Sequence, residues 1–324
     1  MFQTEPIVFL QSFANPLLTF IMKGMTVTGY TWFLSVVILL VMLGLDFRKG
    51  FQVFQIVIWT GIITSIAKDL FALPRPIWVD FNVQDYESGH PNLSPFNGMG
   101  ARGFFGFLPQ NVIDTNRQNG GSFGLPSGHV SSAVALWGGL ALAFRGRLIG
   151  RIVPALVVLM GISRMYLGKH FLVDVLGGAA LGIIVLVVAR QLISGNQEGD
   201  RKFRLPGAVP YVFYLGLPLL LAIASIAPGE LVGSLIGVNV VYLALRKLGF
   251  PDETGSVSMR ALRVLSGGVL FFAISFLIDR GLSFAGLSTT FEWVSCLKAA
   301  LIAFIGIGGS VMLFLKLGWY RRRP

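Results

Sequence analysis

Residues 170–192 read HFLVDVLGGAALGIIVLVVARQL, and this stretch decides both the architecture and where to look for chemistry. From Phe171 to Ala189 its only charged residue is Asp174. A helix of about 20 apolar residues is long enough to cross the hydrocarbon of a bilayer. His170 and Asp174 stand four residues apart at its start, which stacks them on one helical face. A carboxylate so placed can hold one ring nitrogen of the imidazole and leave the other free to attack. The stretch reads as a membrane span with a reactive pair at its mouth.

The same pattern recurs on either side. Apolar runs at 30–46, 51–72, 128–145, 149–167, 208–227, 231–247, 261–278 and 293–317 bring the expectation to about nine spans. The fold class is then an all-α polytopic membrane helical bundle. Composition agrees. The chain has 324 residues, 54% hydrophobic and 13% charged, with a mean hydropathy of +0.73. A soluble domain carries roughly a quarter charged residues. The net charge of +11 does not point to nucleic acid, because the basic residues form short clusters between apolar runs, as membrane orientation requires. The lone Cys296 cannot form an internal disulfide and reads as an ordinary buried small residue. The start, MFQTEPIVFL, lacks a basic n-region and carries Glu5, so it does not read as a cleaved signal. Residues 5–25, interrupted at Asn15-Pro16 and carrying Lys23, are expected to form an amphipathic helix along the interface.

Basic clusters set the expected orientation. Arg48 and Lys49; Arg145, Arg147 and Arg151; Arg201, Lys202 and Arg204; Arg246, Lys247, Arg260 and Arg263; and Arg321, Arg322 and Arg323 all fall in one set of loops. That side is expected to be cytoplasmic, with the C-terminus inside and the Gly/Pro/Asn-rich segment 73–127 outside. The polar stretch SGNQEGDRKFR, 194–204, is the best internal boundary. It gives an expected core of 1–193, a cytoplasmic linker of 194–207, and a C-terminal region of four spans, 208–324. That region could bind a partner, widen a groove or join two copies as a homo-oligomer.

Three segments converge on the expected outer face: KDLFALPRP from Lys68 to Pro76, PSGH from Pro126 to His129, and SRMYLGKHFLVD from Ser163 to Asp174. Lys68, Arg75 and Arg164 are cations where orientation predicts few. Arginine's planar fork suits phosphate, and lysine adds a point charge. Ser127-Gly128 opens a helix, whose free amides and hydroxyl favour an anion. His129 follows directly and can act as a general acid. Singly, each element has a bland explanation: a snorkelling lysine, a helix cap, a structural His–Asp bond. Two of the three histidines of the chain fall inside the constellation. Asp69 and Lys169 read as solvated interface charges, and His90 as exposed. Phe104, Phe105 and Phe107 could either dip among head groups or form a packed loop core.

Together, Lys-x6-Arg-Pro, Pro-Ser-Gly-His and Ser-Arg-x5-His-x3-Asp resemble the motifs of the type 2 phosphatidic acid phosphatase superfamily, over about residues 5–192. That superfamily includes bacterial lipid phosphatases, glucose-6-phosphatase and the vanadium haloperoxidases. The resemblance implies a helical phosphatase core and a phosphohistidine intermediate. It makes His170 the nucleophile, Asp174 its orienting partner and His129 the acid that protonates the leaving group. Lys68, Arg75, Ser127, Gly128 and Arg164 would hold the phosphoryl oxygens. No metal or other cofactor is expected. The expected substrate is a lipid phosphate or diphosphate of the outer leaflet, with no nucleic-acid partner. A haloperoxidase-like oxidant enzyme and a non-catalytic lipid transporter or binding protein are the competing readings.

Overall fold

A computed structural model describes residues 1–119, 122–194, 211–252 and 254–322. Most of the expected linker, with Arg201, Lys202 and Arg204, lies outside the described residues, as do the start of the 208–227 run and Arg323. The described chain is helical: α1 Glu5–Gln11, α2 Pro16–Val27, α3 Thr31–Leu45, α4 Phe47–Phe71, α5 Pro76–Val79, α6 Gln110–Gln118, α7 Gly128–Phe144, α8 Arg147–Tyr166, α9 Leu172–Ser194, α10 Val212–Ala224, α11 Gly229–Leu248, α12 Val257–Phe284 and α13 Glu292–Lys316. A two-residue antiparallel pairing joins β1 Pro251–Asp252 to β2 Arg321–Arg322.

Each of the nine expected runs falls on a helix, but fewer have the length of a span. Among the described residues, six helices are long and apolar enough to cross a membrane, or seven if α2 and α3 count as one bent span. The helices α7 and α10 are shorter. The N-terminal expectation of a single helix is corrected as well. Residues 5–25 form two helices, because Pro16 starts a new one and the Asn15 side chain accepts from the amide of Leu18 at 2.9 Å. The second of them is part of a protein wall. Thr19 meets the Tyr166 hydroxyl at 2.7 Å, and Thr26 meets Ser163 at 2.9 Å.

The chain divides into two compact units: residues 1–34 with 63–189, and residues 35–62 with 190–324. The packing therefore groups 35–62 with the C-terminal part, because α3 and most of α4 pack against helices that come later in the chain. In the first unit, the described part of segment 73–127 is a packed cap rather than a loose loop. Val79, Val83, Ala101, Leu108, Val112 and Ile113 are buried with Phe2, Ile7 and Phe171 in one apolar cluster. Gln11 pins the cap by donating to the carbonyls of Gln84 and Tyr166, both at 2.8 Å. Phe104, Phe105 and Phe107 stay outside this core, with Phe105 90% exposed, so they are not a packed loop core.

In the second unit, α11 carries Gly229, Gly233 and Gly237 at four-residue spacing. A methyl group at these positions would lie 2.2, 2.0 and 2.4 Å from the carbonyl oxygens of Glu292, Cys296 and Ala300. Small residues in register let two helices approach backbone to backbone where apolar burial gives no drive. Cys296 is half-buried in this seam rather than fully enclosed. Several basic clusters also meet here. Arg48 lies 4.3 Å from the Phe250 ring, Arg263 lies 4.6 Å from the Tyr320 ring, and β1 pairs with β2. Arg260 and Arg263 belong to the first turns of α12 rather than to a loop. Gly237→Val is expected to cost about 3 kcal/mol through overpacking. The expected readout is a clear fall in the melting temperature of the detergent-solubilised protein, and an unchanged melt would contradict the close seam.

Candidate active site

The site is built at the ends of four helices of the first unit. The last turn of α4 carries Lys68, and the chain turns at Ala72, where φ is 47°. Pro74 and Pro76 bracket Arg75, which holds extended backbone before α5. Ser127 caps α7 and Gly128 opens it. Helix α8 ends with Arg164, and a turn through Gly168, at φ 78°, places His170 just before α9. That glycine is required twice over, since a Cβ there would lie 2.4 Å from the Gln84 carbonyl oxygen.

All eight predicted residues are brought together. His170 is 1% exposed, and its Nδ1 lies 3.3 Å from Oδ2 of Asp174. Such contacts are often long in a free enzyme and tighten during reaction. The same carboxylate oxygen accepts from the Phe171 amide at 2.9 Å. The backbone of Asp174 also accepts from the Ser127 amide at 2.8 Å, tying the start of α9 to the start of α7. Gly178 allows this approach, because a Cβ there would come within 2.4 Å of the Ser127 carbonyl oxygen. Lys68 donates to the Phe123 carbonyl at 2.7 Å, and its side chain lies beside Gly128.

The polar atoms left over are informative. Arg75 Nε, Ser127 Oγ, His129 Nε2, Arg164 Nε and Asp174 Oδ1 are buried without a hydrogen-bond partner in the protein. Buried polar groups are normally paired, and leaving one unpaired costs about 1–3 kcal/mol. Four of these five atoms can donate, as a tetrahedral oxyanion requires. Burial first, then the positive charges of Arg75, Arg164 and Lys68 and the neighbouring His129, hold the His170 imidazole well below the ordinary histidine range. That direction favours the neutral ring, with a free lone pair.

Sequence reasoning missed the residues that hold this arrangement. Glu87 takes the Arg164 fork in a bidentate pair at 2.9 and 3.1 Å. It also accepts from the Tyr30 hydroxyl at 2.6 Å. Lys169 is not a solvated charge: it is 12% exposed, 2.7 Å from Asp85 and 3.8 Å from Glu87. Burial by itself would raise the Glu87 carboxyl, but the Arg164 bond and charge, the Tyr30 bond and Lys169 outweigh it and hold the group at about 2. The Tyr30 ring meets His129 edge-on at 5.2 Å, and Gly29 backs the imidazole so closely that a Cβ would lie 2.5 Å from it. Thr26 supplies a further acceptor to Arg164 at 3.2 Å. The pattern Asp85-x-Glu87 was the available signal, but its basic partners lie 77 and 84 residues away, and no spacing rule reaches that far. Asp69 and His90 are exposed, as read.

Residues 49–198 match the model of the PAP2 superfamily. This stretch of the chain is similar to the PAP2 superfamily. Among curated proteins, phosphatidylglycerophosphatase B of Bacillus subtilis (strain 168) is 36% identical over 92 residues, covering 26% of this chain and 43% of the relative. The lipid A 4'-phosphatase of Porphyromonas gingivalis is 35% identical over 66 residues, 20% of this chain and 28% of its own. Undecaprenyl-diphosphatase BcrC of Bacillus subtilis is 40% identical over 60 residues, 18% and 30% of the two chains. This chain spans less than half the length of the curated relatives it matches. No solved structure gives a significant match. All eight motif residues lie within the PAP2 segment, whereas Thr26, Gly29 and Tyr30 lie before it.

Two outcomes are expected. Glu87→Ala leaves the Arg164 guanidinium buried without its counter-ion, at a cost of about 3 kcal/mol, visible as a lower melting temperature in detergent; an unaltered melt would contradict the pairing. In histidine-selective NMR, the His170 ring is expected to remain neutral at pH 6. Because its folded-state pKa lies below that of an unfolded histidine, about 6.5, the stability it contributes is lost as pH falls below that value. A midpoint at or above 6.5 would refute the placement.

Proposed function

We propose that this chain is an integral membrane phosphatase that removes phosphate from a lipid phosphate or lipid diphosphate, with His170 as the nucleophile. The single observation that carries the proposal is the set of buried, unpartnered donors around a buried imidazole whose Nδ1 is already committed to Asp174. The relatives named as phosphatases support the reaction class.

The geometry suits a displacement in two steps. Nδ1 faces Asp174, so the Nε2 lone pair attacks phosphorus. As the N–P bond forms, the bond from phosphorus to the leaving oxygen breaks, and His129 gives that oxygen its proton. Arg75, Arg164, Lys68, Ser127 and the opening amides of α7 take the charge on the equatorial oxygens, where most of the stabilisation in phosphoryl transfer arises. Asp174 meanwhile stabilises the positive charge that grows on the His170 ring. In the second step water adds to phosphorus, the P–N bond breaks, and the proton lost by water returns to His129. Neutral His170 is restored and phosphate departs.

The site is proposed to face the outer side of the plasma membrane. Support comes from the distribution of Lys and Arg, most of which cluster in the opposite loops. The head group would come from the outer leaflet. The four C-terminal runs could serve as a homo-oligomer contact.

His170→Ala is expected to lower phosphate release by at least about a thousandfold while leaving the melting temperature near that of the wild type. Vanadate is expected to inhibit, because it occupies the same donors in five-coordinate form, and chelators should change nothing. A His170→Ala variant with near-normal turnover, or a rate insensitive to vanadate, would overturn the proposal.

A further inference from the structure

The two histidines of the site are held in different ways. A carboxylate orients the His170 ring, with Nδ1 3.3 Å from Asp174. The His129 ring has no such partner. Its Nε2 is buried without a hydrogen bond, and among the described residues no carboxylate or carbonyl bonds to the ring. An imidazole that must present a proton in one direction still has to be kept from turning. Packing is left to do it.

The packing comes from the turn between α2 and α3. There the amides of Thr28, Gly29 and Tyr30 donate to the carbonyls of Met25, Thr26 and Val27 at 3.1, 2.9 and 3.1 Å, the tightened bonding that often ends an α-helix. Gly29 backs the imidazole so closely that a Cβ would lie 2.5 Å from Cδ2, 2.9 Å from Cγ and 3.1 Å from Cβ of His129. The Tyr30 ring meets the imidazole edge-on at 5.2 Å. Two consecutive residues thus bear on one ring.

Neither residue is placed to give way. Thr26, whose carbonyl accepts from the Gly29 amide, meets Ser163 at 2.9 Å through its hydroxyl and accepts from Arg164 at 3.2 Å. The Tyr30 hydroxyl donates to Glu87 at 2.6 Å, and Glu87 is itself fixed by the Arg164 fork. The turn is therefore braced against α8 and the cap. A methyl group at Gly29 would have to be accommodated by the His129 ring, which would move by about 1 Å to regain ordinary carbon–carbon contact. Both residues precede the stretch 49–198 that is similar to the PAP2 superfamily, so this support lies outside the motif set.

We propose that Gly29 and Tyr30 are positioning residues for His129, and that they aim its proton at the leaving oxygen. The proposal rests on the phosphatase reading and deepens it. As the P–O bond breaks, its electron pair goes to the leaving oxygen and the proton passes from His129 to that oxygen. An alcohol is a poor leaving group and needs the proton. A nitrophenol leaves as a stable anion and does not. Misaiming the acid therefore slows one class of substrate and spares the other, whereas a loosened fold or a weakened hold on phosphate slows both.

The test compares phosphate release by the full-length protein in detergent from a lipid monophosphate and from para-nitrophenyl phosphate. Gly29→Ala is expected to lower kcat on the lipid by about a hundredfold, the scale of a misplacement of about 1 Å, with KM within about twofold and the nitrophenyl ester within about threefold. Tyr30→Ala is expected to show the same split, and Tyr30→Phe, which keeps the ring, to recover most of the lipid rate. Equal losses on both substrates, or none on either, would overturn the positioning role. Histidine-selective NMR gives a readout that needs no turnover, and it decides the matter where only one substrate is hydrolysed. The His129 ring signals are expected to move in Gly29→Ala and Tyr30→Ala while those of His170 hold; His129 signals unchanged in both variants would overturn the proposal. A wild type that releases phosphate from neither substrate would instead refute the phosphatase reading itself, and this proposal with it.

Discussion

Three cations that repel one another are held around a single neutral imidazole, and the fold of the first unit follows from the need to keep them there. Lys68, Arg75 and Arg164 each raise the potential at His170. In a poorly hydrated setting such a cluster is unstable unless carbonyls and counter-ions surround it. Lys68 takes the Phe123 carbonyl, and Arg164 takes the Glu87 carboxylate in a bidentate fork. The fork leaves Arg164 Nε without a partner, and Arg75 Nε has none either. What holds the charges in place is therefore distinct from what remains available to an oxyanion. Burial first, and then the same positive field, hold the His170 imidazole well below the ordinary histidine range.

The cap and the N-terminal helices belong to this constraint. Glu87 can reach Arg164 only because segment 73–127 folds back over the helix ends, and Gln11 fastens that segment to the end of α8. Tyr30 links the Glu87 carboxylate to the face of His129, so the counter-ion and the proposed acid share one support. In the second unit a different rule operates. Gly229, Gly233 and Gly237 replace apolar burial by backbone proximity, and the carbonyls of α13 occupy the space that side chains would have filled.

Much of this was legible in the sequence, for identifiable reasons. Membrane helices announce themselves through length and composition, and all nine apolar runs fell on helices, although α7 and α10 are shorter than a span. The grouping of the candidate site residues was legible because they sit in three short segments with fixed internal spacing, such as His170 and Asp174 one helical turn apart. The partners were not. Glu87 and Arg164 are separated by 77 residues, and the irregular stretch of segment 73–127 that carries Glu87 has no periodic pattern to fix its path. Lys169 reads as a surface charge until the chain places Asp85 beside it. The glycine seam was visible as spacing in α11, but its significance depends on the facing carbonyls, which sequence does not reveal.

The central claim is that His170 carries the phosphoryl group. It is tested most directly by quenching the full-length protein during turnover of a radiolabelled lipid phosphate and mapping any label on the chain. The account predicts label that is stable to alkali and labile to acid, confined to the peptide containing His170 and absent from His170→Ala. Label on another residue, or none on a chain that is releasing phosphate under conditions that preserve phosphohistidine, would contradict it.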